Sequence, residues 1–147
     1  MQQNDVKITF ASLSKNEQLA RSFAAAFATQ LDPTLRELED IKTAVSEAVT
    51  NVVVHAYPES IGQVELLFSA QEDVFSIEVI DYGVGIDDVA EARMPMYTTR
   101  ADDERSGLGF TVMEAFMDDV EVSSAPGVGT CVRMRKRIDQ KRNLDTD

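Results

Sequence analysis

The chain has 147 residues, of which 44% are hydrophobic and 27% charged, and its formal net charge is −12 at pH 7. This length predicts one domain with a core of its own, and the acidic balance argues against general nucleic-acid binding, which needs a basic surface. Cys131 is the single cysteine, so no intrachain disulfide can form. Because no signal peptide and no apolar run of about 20 residues is present, we expect a cytoplasmic protein without a membrane span.

The N-terminal part of the sequence predicts one strand and two helices. Residues 6–11 alternate in polarity, as a strand does. The segments 14-SKNE-17 and 34-TLRE-37 match the capping box, in which a Ser or Thr N-cap is followed three residues later by Glu. They predict a helix from residue 14 to about 30 and a longer helix from residue 34 to about Tyr57, where Pro58 disfavours further helix.

The rest of the sequence predicts mainly strands. Alternating patterns at 63–70 and 74–81 predict a hairpin, those at 119–124 and 130–137 predict two further strands, and 108–118 has helical spacing. Helices and antiparallel strands without regular βαβ alternation indicate an α+β fold. We expect a two-layer sandwich, with helices on one face of a mixed, mostly antiparallel sheet. Residues 1–137 would form the domain and 138–147 a polar tail.

The second predicted helix carries an unusual polar stripe. In 47-EAVTNVVVHAY-57, Glu47, Asn51 and His55 are four residues apart and lie beside the apolar stripe that faces the core. For any one of them, a half-buried polar edge is the simpler interpretation. Together they are typical of a site, because an amide oxygen suits Mg²⁺ and a carboxylate can accept a proton from a hydroxyl beside a phosphate. For His55 we expect a structural role.

Six of the seven glycines fall in three pairs: Gly83 and Gly85, Gly107 and Gly109, and Gly127 and Gly129. The first pair follows a strand that ends in Asp81, whose carboxylate can accept a hydrogen bond from an exocyclic amine while the glycines leave room for a flat base. The second pair opens a helix, whose N-terminal N–H groups can bind phosphate. Each pair could be only a turn, and for the third pair this is the preferred interpretation.

In combination, these segments resemble a known family. The order and content of 47-EAVTN-51, 81-DYGVGI-86, 106-SGLGF-110 and 129-GT-130 are similar to the N, G1, G2 and final Gly-Thr boxes of the ATPase fold shared by gyrase, Hsp90, histidine kinases and MutL. Within that fold, 44-AVSEAVTNVVVHAY-57 and 105-RSGLGFTVMEAFMD-118 resemble the bacterial anti-sigma serine kinases, above all their sporulation members. The resemblance extends from the first strand to about Arg137.

The resemblance implies ATP and Mg²⁺ as cofactors and a role for each matching position. Glu47 would be the general base, Arg105 the cation at the γ-phosphate, Asn51 the Mg²⁺ ligand and Asp81 the acceptor for the adenine amine. The other implied nucleotide contacts are Gly83, Gly85, Thr98, Thr99, Ser106, Gly107, Leu108, Gly109 and Thr130. Residues 93–109 would form a mobile lid over the triphosphate, in which Thr98 and Thr99 could equally belong to a plain polar loop. Two residues depart from the family pattern: Arg100 stands where lysine is expected, and Tyr82 where a small or acidic residue is commoner.

The implied function is that of an anti-sigma factor and serine/threonine kinase. Such a protein binds and inhibits an RNA polymerase sigma factor of the sporulation sigma-F type, phosphorylates a serine of an anti-anti-sigma factor, and acts as a homodimer. Arg21 on the first helix is a candidate docking residue, with a solvated helix charge as the alternative. The alternative function is an ATP-gated sequestering module without phosphotransfer. Histidine autophosphorylation is disfavoured, because the only histidine, His55, lies inside the nucleotide helix.

Overall fold

The computed structural model describes residues 3–94 and 104–139, with side chains from residue 109 onward in the second of these ranges. The strands are β1 (Asn4–Ala11), β2 (Gln63–Gln71), β3 (Val74–Asp81), β4 (Asp119–Ala125) and β5 (Gly129–Arg137). The α-helices are α1 (Asn16–Ala28), α2 (Leu35–Asn51), α3 (Val89–Ala92) and α4 (Glu104–Phe116). A 3₁₀ turn at Thr29–Leu31 follows α1, and a π turn at Val52–Ala56 follows α2.

The five strands form one sheet in the order β1-β2-β3-β5-β4, and each adjacent pair is antiparallel. The α+β prediction is confirmed, and the described sheet is antiparallel throughout, where the sequence analysis expected a mixed one. Burial alternates along β2 and β3, so one face of the sheet carries the core and the other is open to water. Phe27 of α1 stacks on Phe68 of β2 with ring centroids 5.3 Å apart, which joins the helical layer to the sheet.

The two predicted capping boxes have different outcomes. At α2 the prediction is confirmed: the Glu37 N–H donates to Thr34 Oγ1 (3.1 Å), and the Thr34 N–H donates to Glu37 Oε1 (2.9 Å). At α1 it is wrong, since the helix begins at Asn16 after Lys15 and has no side-chain cap. The Glu17 carboxylate lies 2.6 Å from Arg21 Nε, one turn further along the helix, so it does not reach back to the start of α1.

The C-terminal end of the domain is held against the core. Ile138 is fully buried, and its N–H donates to the Asp73 carbonyl oxygen at 2.7 Å. The packed part of the chain therefore includes the first residue of the predicted tail. In the described segments no helix is long and apolar enough to cross a membrane.

Candidate nucleotide-binding site

One wall of a cavity of ≈ 300 Å³ is formed by the end of α2 and the π turn that follows it. Asn51 and His55 both line this cavity, together with the apolar side chains of Ala48, Val52 and Ala56. Short π turns occur frequently at functional sites, and this one follows directly after α2. Glu47 is partly buried one turn before Asn51 and is not among the residues that line the described cavity.

The opposite wall is formed where β3 and β5 pair side by side. Asp81, the last residue of β3, lies in register with Thr130, and both line the cavity. Asp81 is only 6% exposed, and its Oδ1 accepts the Gly83 N–H at 2.9 Å. Burial raises the pKa of Asp81, while hydrogen bonds from the N–H groups of Gly83 and Thr130 partly offset this. A carboxylate held in this way suits the predicted contact with an exocyclic amine.

The loop after β3 packs closely between the backbone at Ala56 and the backbone at Ala125, and this close packing explains why the loop contains two glycines. A Cβ on Gly83 would lie 2.6 Å from the Ala56 carbonyl carbon, at the point where the Val84 N–H donates to the Ala56 oxygen (2.9 Å). Gly85 has φ +78°, and a Cβ there would lie 2.8 Å from the Ala125 carbonyl carbon. Close backbone approach therefore requires glycine at both positions, and Gly85 also lines the cavity.

Helix α4 closes the cavity from a third side through Phe110. A Cβ on the neighbouring Gly109 would lie 3.1 Å from both Oδ1 and Nδ2 of Asn51, so this glycine lets α4 pack against the Asn51 side chain. The family resemblance implies a phosphate contact for Gly109, and the packing against Asn51 is an additional role.

The other predicted phosphate contacts are only partly described. Arg105, Ser106, Gly107 and Leu108 lie in α4, which begins at Glu104, and only their backbone is described. A helix leaves N–H groups available in its first turn, which favours Arg105 and Ser106 as backbone donors over residues further in. Thr98, Thr99, Arg100 and most of the predicted lid lie outside the described residues.

The structure adds three features that sequence analysis did not single out. Ser124 Oγ lies behind the cavity wall, 2.8 Å from Thr130 Oγ1. Arg93, the first residue of the predicted lid, pairs with Glu114 and donates to the Val120 carbonyl oxygen at 3.0 Å. Asp87 and Asp88 also line the cavity. The alternation of Val120 and Val122 along β4 predicts that Ser124 faces inward. The pair of Arg93 and Glu114 has no such pattern in the sequence, because the two residues meet only through tertiary packing.

A bound Mg²⁺ is compatible with the donors present. Among the described residues, no group of three or more His, Cys, Asp or Glu side chains could hold a metal alone. Mg²⁺ in nucleotide sites typically uses one or two protein oxygens plus phosphates and water, and the Asn51 carboxamide at the cavity wall can supply such an oxygen.

Arg21, the predicted docking residue, is less exposed than expected. Its side chain is 37% exposed and its Nε lies 2.6 Å from Glu17 Oε2, with both of these atoms shielded from water. Arg21 is therefore half-buried and belongs to an ion pair within α1. Only the outer edge of its guanidinium group is available for contact with a partner.

Comparison with known proteins shows to which class of protein the fold belongs. A family model described as "Histidine kinase-like ATPase domain" matches residues 10–136. The RsbU and RsbW domains of a Mycobacterium tuberculosis protein superpose with a TM-score of 0.67 at 19% identity, covering 92% of this chain and 32% of that one. A blue-light activated histidine kinase of Erythrobacter litoralis gives a TM-score of 0.60 at 20% identity, covering 84% and 42%. At these identities the two structures show the fold alone.

Relatives of high sequence identity show which family of these ATPase-like proteins the chain belongs to. The anti-sigma F factor of Caldanaerobacter subterraneus subsp. tengcongensis is 53% identical over 139 residues, covering 95% of this chain and 97% of the relative. That of Bacillus subtilis is 46% identical over 142 residues, covering 96% and 97%. The chain belongs to the anti-sigma F factor family of the histidine kinase-like ATPases.

Proposed function

We propose that this protein is an anti-sigma factor that binds Mg-ATP in the described cavity and transfers the γ-phosphate to a serine of an anti-anti-sigma protein. The observation that carries the proposal is the convergence of all four sequence boxes on one cavity of ≈ 300 Å³. Asn51 comes from the first box, Asp81 and Gly85 from the second, Phe110 from the third, and Thr130 from the last. Such a pocket, mostly apolar with a few convergent polar groups, is typical of a nucleotide site.

Each residue has a distinct task in this proposal. Asp81 accepts a hydrogen bond from the adenine amine, and the loop through Gly85 borders the base. Asn51 holds Mg²⁺, which when bound neutralises charge on the phosphates. Glu47 accepts the proton of the partner's serine hydroxyl, and Arg105 stabilises charge on the γ-phosphate. Catalysis then depends on positioning and local charge, as in other phosphoryl transfers.

The proposed partners follow from the family. Its members are named anti-sigma F factors, so a sigma factor of the sporulation type is the proposed binding partner and an anti-anti-sigma protein the proposed substrate. We place the protein in the cytoplasm as a homodimer, with the outer edge of Arg21 as a candidate docking contact. No nucleic-acid contact is proposed, in keeping with the net charge of −12.

One observation favours the alternative, an ATP-gated sequestering module without phosphotransfer. Glu47 lies beside the cavity-lining residue Ala48 but does not itself line the cavity. A general base is needed for phosphotransfer but not for nucleotide binding alone. The role of Glu47 therefore distinguishes the two proposed functions.

The test is transfer of label from γ-labelled ATP, with Mg²⁺, to a candidate anti-anti-sigma protein. We expect label on a serine. Because a positioned base contributes about 10²- to 10⁴-fold, Glu47→Gln should lower the transfer rate by at least about 100-fold while ATP affinity stays within about threefold. Glu39→Gln, at an exposed position on the same helix, is the matched control and should behave as the wild type. Asn51→Ala should weaken both binding and transfer.

Three results would alter this conclusion. An equal loss of ATP affinity in Glu47→Gln would remove the base assignment. ATP binding without any labelled serine would leave the sequestering module as the better account. Failure of the wild type to bind ATP at all would contradict the nucleotide site itself.

A further inference from the structure

The hydroxyl of Ser124 connects three segments that surround the cavity. It accepts the Ile86 N–H at 2.8 Å, donates to the Gly129 carbonyl oxygen at 3.0 Å, and lies 2.8 Å from Thr130 Oγ1. Ser124 itself is only partly exposed and does not line the cavity, whereas Ile86 and Thr130 do. Its hydroxyl therefore supports the cavity wall from behind.

Counting protons fixes the direction of the contact between the two hydroxyl groups. A serine hydroxyl has one hydrogen and two lone pairs. If its hydrogen goes to the Gly129 oxygen, both lone pairs are used when it accepts the Ile86 N–H and the Thr130 O–H. This arrangement satisfies all three contacts at once. The Thr130 hydrogen then points at Ser124, and Thr130 Oγ1 can only accept hydrogen bonds from the cavity.

The second acceptor in the same wall is Asp81. It lies in register with Thr130, and its carboxylate accepts N–H groups of the backbone. Two acceptors side by side complement an amino group, which has two hydrogens to donate. They oppose a carbonyl group at the same position, since its lone pairs would face theirs without any hydrogen between them.

We propose that Ser124 is a positioning residue that holds the Thr130 hydroxyl as an acceptor and thereby makes the site select a 6-aminopurine nucleotide over a 6-oxopurine nucleotide. The inference rests on the proposed function, because it concerns the base-binding end of the same cavity. Without Ser124, the Thr130 hydroxyl can rotate its hydrogen toward the cavity and donate to a carbonyl. The site then loses part of its preference for the amine.

The test compares the affinities for adenosine diphosphate and inosine diphosphate, with Mg²⁺, by titration calorimetry. These ligands differ at the 6-position of the base, which is an amino group in the first and a carbonyl in the second, and at N1, which carries a hydrogen only in the second. In Ser124→Ala, we expect the ratio of the two affinities to fall about tenfold, in line with the loss of a properly oriented buried hydrogen bond. Ser123→Ala is the matched control, because Ser123 is the adjacent residue on the exposed face of β4 and should leave the ratio unchanged.

A purely structural role for Ser124 would lower both affinities together and leave their ratio intact, which would overturn the proposal. Thr130→Val removes the hydroxyl through which Ser124 is proposed to act, so it should reduce the ratio as well. Adding Ser124→Ala to Thr130→Val should then cause no further change in the ratio, since the two residues act as a unit. Additive effects on the ratio would contradict the link between them.

Two further results keep the outcomes distinct. If Ser124→Ala does not fold, Ser124→Thr replaces it in the test, because this variant keeps the hydroxyl. Ser124→Thr should retain the wild-type affinity ratio, and Thr130→Val should lose it. A loss of the ratio in Ser124→Thr together with its retention in Thr130→Val would refute the proposal. If the wild type binds neither nucleotide, the proposed nucleotide site fails and this inference with it. Normal binding by the wild type with an unchanged ratio in Ser124→Ala refutes the inference alone.

Discussion

The paired strands β3 and β5 carry polar side chains on both faces of the sheet. These side chains are buried on one face and exposed on the other. On the helix-covered face, Asp81 is 6% exposed, lies opposite Thr130 and is held by backbone N–H groups. On the open face, Glu78 lies opposite Arg133 with 3.6 Å between carboxylate and guanidinium, and both side chains remain about a third exposed or more. Buried contacts of fixed direction can recognise a ligand, whereas exposed pairs exchange readily with water and contribute little.

The largest difference between the faces should appear in nucleotide affinity. Hydrogen bonds to a charged group contribute about 1.5–3 kcal/mol, so Asp81→Ala should weaken ADP binding by about 10- to 100-fold or more. Glu78→Ala, on the same strand but on the open face, is the matched control and should change binding less than about twofold. Titration calorimetry measures both. Similar losses in the two variants would mean that the faces do not differ in the way described.

The next prediction concerns the loop that holds the buried carboxylate. Gly83→Ala would force a methyl group into the Ala56 carbonyl, so we expect the free energy of unfolding to fall by about 2 kcal/mol or more. Gly127→Ala is the control: its φ of +77° strains a side chain, but a Cβ there meets no atom within 4 Å. That variant should lose only about 1 kcal/mol. Urea unfolding compares them, and equal losses would show that close packing at Gly83 is unimportant.

Much of the site follows from short-range patterns in the sequence. The capping box at Thr34, the alternation of β2 and β3, and the order of the four boxes were sufficient to predict the helix, the strands and the wall residues Asn51 and Asp81. The cap, the period and the polar residue at the end of an apolar strand are local signals, whereas the four boxes indicate a site through the family resemblance. The fold class needed nothing more.

One wrong prediction has a local cause, since Glu17 pairs with Arg21 four residues further along α1 and does not complete the capping box at Ser14. The other features that were missed depend on neighbours distant in the chain. The packing role of Gly109 depends on Asn51, which belongs to α2, far earlier in the chain. Ser124 was on the correct face by alternation, but its three hydrogen bonds exist only once β4, β5 and the loop after β3 meet.

The buried carboxylate of Asp81 should make the stability of the protein depend on pH. Burial raises the pKa of Asp81 in the folded state, so the folded protein binds this proton more tightly than the unfolded chain does. The resulting stabilisation is fully present below the unfolded pKa, about 3.9, and is lost as pH rises through the folded pKa. Relative to Asp81→Asn, which cannot titrate, the wild type should therefore become less stable as pH increases from about 3 to 7. Urea unfolding across that range would contradict this if the difference stayed constant or changed in the opposite direction.

The smallest effect is expected from the open face. Arg133 lies 3.6 Å from Glu78 and 3.4 Å from Glu121, yet its side chain is 40% exposed, so water and salt screen both pairs. Arg133→Ala should lower the free energy of unfolding by less than about 0.5 kcal/mol, and the difference should shrink further in 1 M salt. Arg133→Lys, which keeps the charge, is the control. A decrease in the free energy of unfolding as large as that of Gly83→Ala, and one that persists in high salt, would mean that Arg133 stabilises the fold by more than screened ion pairs. The distinction between the two faces of the β3–β5 pair would then no longer hold.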